Sequence, residues 1–287
     1  LLWAAALLST FLTNDVALFI VVPLTLTLRK WCAIPITRLI IIEALAVNAG
    51  SLLTPIGNPQ NILLWGHSGL SFIGFIGWMA PLALLLMASL SALVWALFPP
   101  QLLHFQYGAT AGQWHPRIVV GAALLYGVFI IALESPYSLW APALVAIGFL
   151  IIAPRVPGSI DWSLLLVFIV MFVDVHLFTQ IPFIHERITA VTGLSPLSRF
   201  LTGIGFSQII SNVPSTILLL NYIPADKLLA WAVNIGGFGL LPGSLANIIA
   251  LRMAGDSRIW WRFHLYSVPV LIWSAASGYL LLHWLSA

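Results

Sequence analysis

Long apolar runs separated by short polar segments cover this chain, and the runs are of two kinds. Those at 70–98, 117–134, 138–153, 160–178 and 264–285 are uninterrupted, and about 20 residues of helix suffice to cross a bilayer core. The others, at 1–28, 38–65, 198–222 and 226–250, are equally apolar at their ends but polar in the middle. The breaks are Ser9-Thr10 with Thr13-Asn14-Asp15; Asn48, Gly50, Thr54-Pro55 and Gly57-Asn58-Pro59; Ser211-Asn212-Val213-Pro214-Ser215-Thr216; and Asn234, Gly236-Gly237 with Pro242-Gly243-Ser244. Each pair of interrupted runs predicts a polar-tipped helical hairpin followed by a broken helix. A short amphipathic stretch near 183–191 is expected to lie at the interface.

The two interrupted pairs are copies of each other. At an offset of 186, residues 44–63 overlay 230–249 with eight identities in twenty gapless positions, among them Asn48/Asn234, Gly50/Gly236, Gly57/Gly243 and Asn61/Asn247. At an offset of 198, Ser9 overlays Ser207 and Thr13-Asn14 overlays Ser211-Asn212. The expected organisation is a first repeat over 1–98, a connecting region over 99–159 with spans 117–134 and 138–153, and a second repeat over 160–287. By symmetry, a span, an amphipathic helix and part of a hairpin arm are expected upstream of Leu1.

Composition sets the environment. The chain is 61% hydrophobic and 7% charged, against about 25% charged in soluble proteins, so this is an integral membrane protein. Nucleic-acid binding and a soluble or disulfide-stapled fold are excluded, the last because Cys32 is the single cysteine. If each hairpin enters and leaves on one side, five crossings separate them and the second repeat is inverted. That topology places Arg29, Lys30, Arg38, Arg117, Arg155, Arg252, Arg258 and Arg262 on one side and Arg187, Arg199 and Lys227 on the other. The richer side is cytoplasmic by the positive-inside rule, so the C-terminus is expected in the periplasm. The thirteen Trp residues fall largely at span ends, as in an interfacial belt.

Broken backbone at membrane depth survives only where protein or water surrounds it, so the breaks are expected to line a cavity. Carbonyl and hydroxyl oxygens suit a hard cation, and helix N-termini suit an anion. Two inverted units rocking about such a site give alternating access. Asp15 is an ionisable group at midplane depth and a candidate for ion or proton coupling. Glu43 is a second candidate acid, but it lies about 7 Å along its helix from Arg38, a spacing at which snorkelling at the interface fits at least as well. Asp174 and His176 are weaker candidates for a proton relay.

Thr13-Asn14-Asp15, the segment Asn48 to Asn61, Ser211-Asn212-Val213-Pro214-Ser215-Thr216 and the segment Asn234 to Asn247 together resemble the ion transporter superfamily. That group includes citrate-transporter-like, arsenite-pump, Na⁺/H⁺-antiporter and divalent anion/Na⁺ symporter families, and nearly the whole chain is most similar to the bacterial inner-membrane branch of the YbiR type. The resemblance implies an all-α polytopic membrane protein of inverted repeats, each with a re-entrant hairpin followed by a broken helix. It also implies a substrate held between the tips and, in many members, a homodimer. Substrate and ion binding are then expected at Thr13, Asn14, Asp15, Gly57, Asn58, Ser211, Asn212, Gly243 and Ser244, with Asn48, Asn61, Asn234 and Asn247 supporting the breaks. The family's Ser-Asn-Thr tips depart here at their third position, Asp15 and Val213, so a two-Na⁺ dicarboxylate mechanism does not carry over.

The expectation is a secondary transporter of a small carboxylate or oxyanion coupled to Na⁺ or H⁺. A cation/proton antiporter is the alternative. No cofactor or resident metal is expected, and the partners are a small ion or organic anion and membrane lipids. No Gly-x-Ser-x-Gly, His-Glu-x-x-His or intramembrane aspartate-pair motif supports a hydrolase, so no enzyme is expected.

Overall fold

A computed structural model describes residues 1–28, 34–98, 116–156, 158, 160, 162–182, 189–256 and 258–286. Most of the expected amphipathic stretch, with Arg187, and also Arg29, Lys30, Cys32, His104 and His115 lie outside the described residues. Among those described, all regular structure is helical, in keeping with an all-α polytopic membrane protein.

The chain divides into two compact units, one of residues 1–107 and 172–287 and the other of 108–171. The smaller unit contains α6 (Pro116–Leu133), a 3-10 turn (Ser138–Trp140) and α7 (Ala141–Ile152). Its two helices pack where Gly148 admits Leu125 and Gly121 admits Ile152. The boundary between the units falls within α8 (Trp162–Thr179).

The larger unit opens with a hairpin of α1 (Leu2–Phe11) and α2 (Asn14–Leu28), then α3 (Ile36–Ser51), α4 (Pro59–Ser68) and α5 (Phe72–Leu97). After α8 the same order returns as α9 (Pro196–Ile210), α10 (Asn212–Leu220), α11 (Lys227–Ile235), α12 (Leu245–Ala254) and α13 (Ile259–Ser286). Local chemistry sets these bounds. Asn58 caps α4 by accepting the Asn61 N–H at 2.8 Å, and Ser71, Ser195 and Asp226 cap α5, α9 and α11 in the same way. Gly69 and Gly255 end α4 and α12 with φ of 69° and 66°, left-handed conformations that glycine adopts without strain. They are 186 positions apart, so the sequence offset extends to the helix ends.

The packing follows the repeat. α1 lies on α3 as α9 lies on α11, and α2 on α3 as α10 on α11. Second arms cross over: α2 packs on α12, and α10 packs on α4. The first half-helices form the core, with Ile40 to Ser51 of α3 and Leu229 to Ile235 of α11 wholly buried. α5, α6 and α13 are long and apolar enough to cross a membrane. The apolar run at 138–153 is helical from Ser138 to Ile152, a 3-10 turn leading directly into the 12-residue α7, which has Pro142 in its first turn. Trp231 is an exception to the expected belt, since it is fully buried and its Nε1 donates to the Trp78 carbonyl at 3.0 Å.

Candidate functional site

The gaps between α3 and α4 and between α11 and α12 leave backbone groups without helical partners, and buried polar groups of this kind must find others. In the first gap, Asn61 Nδ2 donates to the carbonyls of Leu52 (2.9 Å) and Thr54 (3.0 Å), and Thr10 Oγ1 donates to the Gly50 carbonyl at 3.1 Å. In the second, Gln208 Nε2 donates to the carbonyls of Gly236 (2.7 Å) and Phe238 (3.0 Å) while its Oε1 accepts the Leu240 N–H at 2.7 Å. Asn247 Nδ2 donates to the Gly237 carbonyl at 2.9 Å. Gly50 and Gly236 are required at the crossings, because a Cβ there would run into the Ala6 backbone and the Ser207 side chain respectively.

The two breaks are tied to each other by side chains. Asn48 Nδ2 donates to Asn247 Oδ1 and Asn234 Nδ2 donates to Asn61 Oδ1, each at 2.8 Å. Ser244 Oγ donates to Asn48 Oδ1 at 3.2 Å, and Asn58 Nδ2 donates to Asn234 Oδ1 at 3.1 Å. Under the offset of 186 these four bonds are two equivalent pairs, each running from one copy to the other. All six side chains are buried. Gln60, a residue the sequence reading did not single out, donates from Nε2 to Asn234 Oδ1 at 3.3 Å, and its buried Oε1 has no hydrogen bond among the described residues.

The hairpin tips reach this belt from opposite copies. The Asn14 N–H donates to the Gly57 carbonyl at 2.9 Å, seating the start of α2 beside the start of α4. Asn14 Oδ1 accepts the Asp15 N–H at 2.9 Å. Asp15 is 4% exposed, and its buried Oδ1 has no hydrogen-bond partner among the described residues. At the other tip Ser211 has φ 74° and ψ 155°, the one non-glycine residue with positive φ among those described. That conformation costs about 1–3 kcal/mol and occurs most often at functional sites. Asn212 follows, with Nδ2 3.2 Å from the place of a Cβ on Gly237, and Asn48 Oδ1 is 3.6 Å from the same point.

The expected site residues thus gather as Asn14, Asp15, Gly57 and Asn58 on one side and Ser211, Asn212, Gly243 and Ser244 on the other, with Asn48, Asn61, Asn234 and Asn247 between. Thr13 contributes its carbonyl to the Ala17 N–H and is half-buried. Gly243 lies against the Gly236 and Phe238 carbonyls and Gln208. Gln208 and Gln60 were missed, and Thr10 was named only as part of a polar break, because their identities are not repeated between the copies. Of the two readings of Glu43, snorkelling is set aside: the residue is fully buried and accepts from Thr25 Oγ1 at 2.5 Å. Arg38 turns elsewhere, donating to the Leu97 carbonyl at 2.9 Å with its guanidinium 5.8 Å from the Phe98 ring centre. Asp174 and His176 are exposed on α8. An apolar crevice of about 380 Å³ between α5 and α13 has none of the tip or belt residues in its lining.

Four helix N-termini, those of α2, α4, α10 and α12, therefore surround one cluster of amides and hydroxyls within a membrane protein. Residues 1–227 match the citrate transporter (CitMHS) family. The chain belongs to this family of membrane transporters. It is 63% identical over 279 residues to the inner membrane protein YbiR of Escherichia coli K12, an alignment covering 97% of this chain and 75% of that protein. An uncharacterised transporter of Methanocaldococcus jannaschii, MJ0456, is 34% identical over 265 residues, 90% of this chain and 71% of the relative. A rice silicon efflux transporter, LSI3, shares 37% identity over 71 residues, 25% of this chain and 15% of LSI3. As a citrate transporter family member the chain moves a solute across a membrane and is not an enzyme.

Proposed function

We propose that this transporter is a secondary active carrier of a small carboxylate or oxyanion, coupled to Na⁺ or H⁺, in the bacterial inner membrane. The observation that carries the reading is the convergence of four helix N-termini on the amide belt. Each such terminus carries about half a positive charge from the helix dipole, which favours an anion. The family's name and the inner-membrane location given in YbiR's name support the same reading. Substrate and ion bind at Thr13, Asn14, Asp15, Gly57, Asn58, Ser211, Asn212, Gly243 and Ser244, while Asn48, Asn61, Asn234 and Asn247 hold the breaks in shape. The two repeats are inverted, the C-terminus is periplasmic, and rocking of one repeat against the other about the belt exposes the site to each side. No cofactor takes part, and a homodimer in lipid is the working assembly.

The test is uptake of radiolabelled citrate and of inorganic oxyanions into proteoliposomes under imposed Na⁺ or pH gradients. Gradient-dependent accumulation of one of them is expected, and Asp15→Ala and Asn212→Ala should each abolish it. Wild-type uptake in both variants would remove these residues from the site. The buried Asp15 carboxylate, whose Oδ1 has no hydrogen-bond partner among the described residues, favours a second reading, a cation/proton antiporter. For that reading, adding Na⁺ outside acid-loaded vesicles alkalinises the lumen with no organic solute present.

A further inference from the structure

Glu43 and Asp15 are both buried acids of the first copy, and the second copy does without either. The offsets that pair the tips and the broken helices set Val213 against Asp15 and Leu229 against Glu43. Leu229 is fully buried, so hydrocarbon fills that place in α11. A carboxyl group in a membrane protein core where hydrocarbon suffices is costly, and such groups mark ion or proton pathways. Glu43 is 0% exposed; its Oε1 takes the Thr25 hydroxyl and its buried Oε2 has no hydrogen bond among the described residues.

The placement separates this group from the tip. Thr25 is ten residues beyond Asp15 on α2, about 15 Å along the helix. Glu43 is seven residues from the start of α3, about 10 Å in. It therefore lies between the tip and the end of the bundle where α2 leaves off and α3 begins. α3 packs against α1, α2, α5, α12 and α13. Their titratable or charged side chains are Asp15 on α2, Arg252 on α12, and Arg262, His264, Tyr266, Tyr279 and His283 on α13, with none on α1 or α5, and Asp256 and Arg258 lie in the turn between α12 and α13. Arg38 on α3 itself is engaged by Leu97.

We infer that Glu43, held by Thr25, is a second proton-binding site, distinct from the tip, that exchanges with the compartment at the α2–α3 end and sets the proton coupling of transport. The inference rests on the reading of this chain as an ion-coupled carrier. The neutral acid carries its proton on Oε2, the oxygen without a hydrogen bond among the described residues, and both the acid and the anion keep the Thr25 bond at Oε1. Thr25 thus holds the group in both states.

The test has an arm that does not depend on flux. Infrared difference spectra of the reconstituted full-length protein, stepped between about pH 5 and pH 9, should contain a protonated-carboxyl stretch that disappears in Glu43→Gln and in Glu43→Leu. A titrating band left intact in both variants, or none assignable to Glu43 in the wild type, overturns the proposal. In the flux arm, Glu43→Gln should reduce pH-gradient-driven accumulation by about tenfold while solute exchange at equal pH continues. Thr25→Val should shift the pH profile without abolishing uptake. Glu43→Leu, the residue type of the other copy, is expected to fold at least as stably as wild type. If it does and proton-driven uptake is unchanged, the proposal fails. If the wild type carries no solute yet the band titrates and is lost in the variants, the site stands and the carrier reading fails instead.

Discussion

Thr10 in the first copy and Gln208 in the second occupy equivalent places and do one job, binding the carbonyl that the broken helix leaves free at Gly50 or Gly236. The rest of the scaffold is shared in the same way, from the glycine crossings to the paired Asn48/Asn247 and Asn234/Asn61 bonds. The chemistry is not shared. The first copy has Asp15 at its tip and Glu43 on its half-helix, where the second has Val213, Leu229 and a strained Ser211. Backbone satisfaction constrains both halves alike, because unpaired amides are expensive in either. Charge is needed only where an ion is handled, so one copy suffices. A symmetric frame with an asymmetric load is the arrangement from which a coupled carrier can be built.

The frame is tested most severely at Asn234. Its replacement by Ala strands Asn61 Oδ1 and the amides of Asn58 and Gln60, and each lost partner of a buried polar group costs about 1–3 kcal/mol. Asn234→Ala should therefore destabilise by roughly 4 kcal/mol. Asn48→Ala strands Asn247 and Ser244 and should cost about 3 kcal/mol. Thermal unfolding in detergent measures both. A large effect in one with none in the other would break the equivalence of the halves.

Next in size are the crossings. Gly50→Ala sets a methyl against the Ala6 main chain, which cannot yield, and should cost about 3 kcal/mol by overpacking. Gly236→Ala meets the Ser207 side chain, should cost about 2 kcal/mol, and should be partly rescued by Ser207→Gly. No comparable rescue exists for Gly50, because its obstacle is backbone.

These positions also mark how far the sequence could be read. The hairpins, the broken helices and the pairing of the two copies were legible because glycine and asparagine recur at fixed offsets, and Asn14 and Asn212 fall where the tips meet the belt. Thr10 and Gln208 were not legible, since a hydroxyl and an amide perform the same task and leave no repeated letter. Snorkelling of Glu43 beside Arg38 fails for a geometric reason. Five residues along a helix advance the direction by about 140° around the axis, so Arg38 and Glu43 face different ways however close they are along it.

The load is tested by smaller stability effects with large functional ones. Asp15→Asn removes a buried carboxylate while retaining a polar side chain at the tip, and should raise stability by about 1 kcal/mol while abolishing gradient-driven uptake. Asn14→Ala, which removes the acceptor for the Asp15 N–H, should lower both. A variant at position 15 that is less stable and still transports would make Asp15 a structural residue and erase the contrast between the tips.

The smallest effect lies outside the spans, where the copies are joined by a surface acid. Asp256, in the turn between α12 and α13, accepts the Arg258 N–H at 2.9 Å and the Thr37 hydroxyl at 3.1 Å, the latter from the first turn of α3. The Arg258 N–H above all, then Thr37 and the charges of Arg262 and Arg258, hold its carboxyl below the usual range. A carboxyl depressed in the folded state stabilises fully above its unfolded value of about 3.9, and that contribution fades as pH falls through the folded value. Wild-type stability should therefore decline slightly between about pH 5 and pH 3, and Asp256→Asn should flatten that decline. Thr37→Val should flatten it in part, because the main-chain bond to Arg258 remains. A slope unchanged in Asp256→Asn would assign the acid sensitivity to other groups. A Thr37→Val slope equal to that of Asp256→Asn would make the contact between copies, rather than the local turn, the source of the shift.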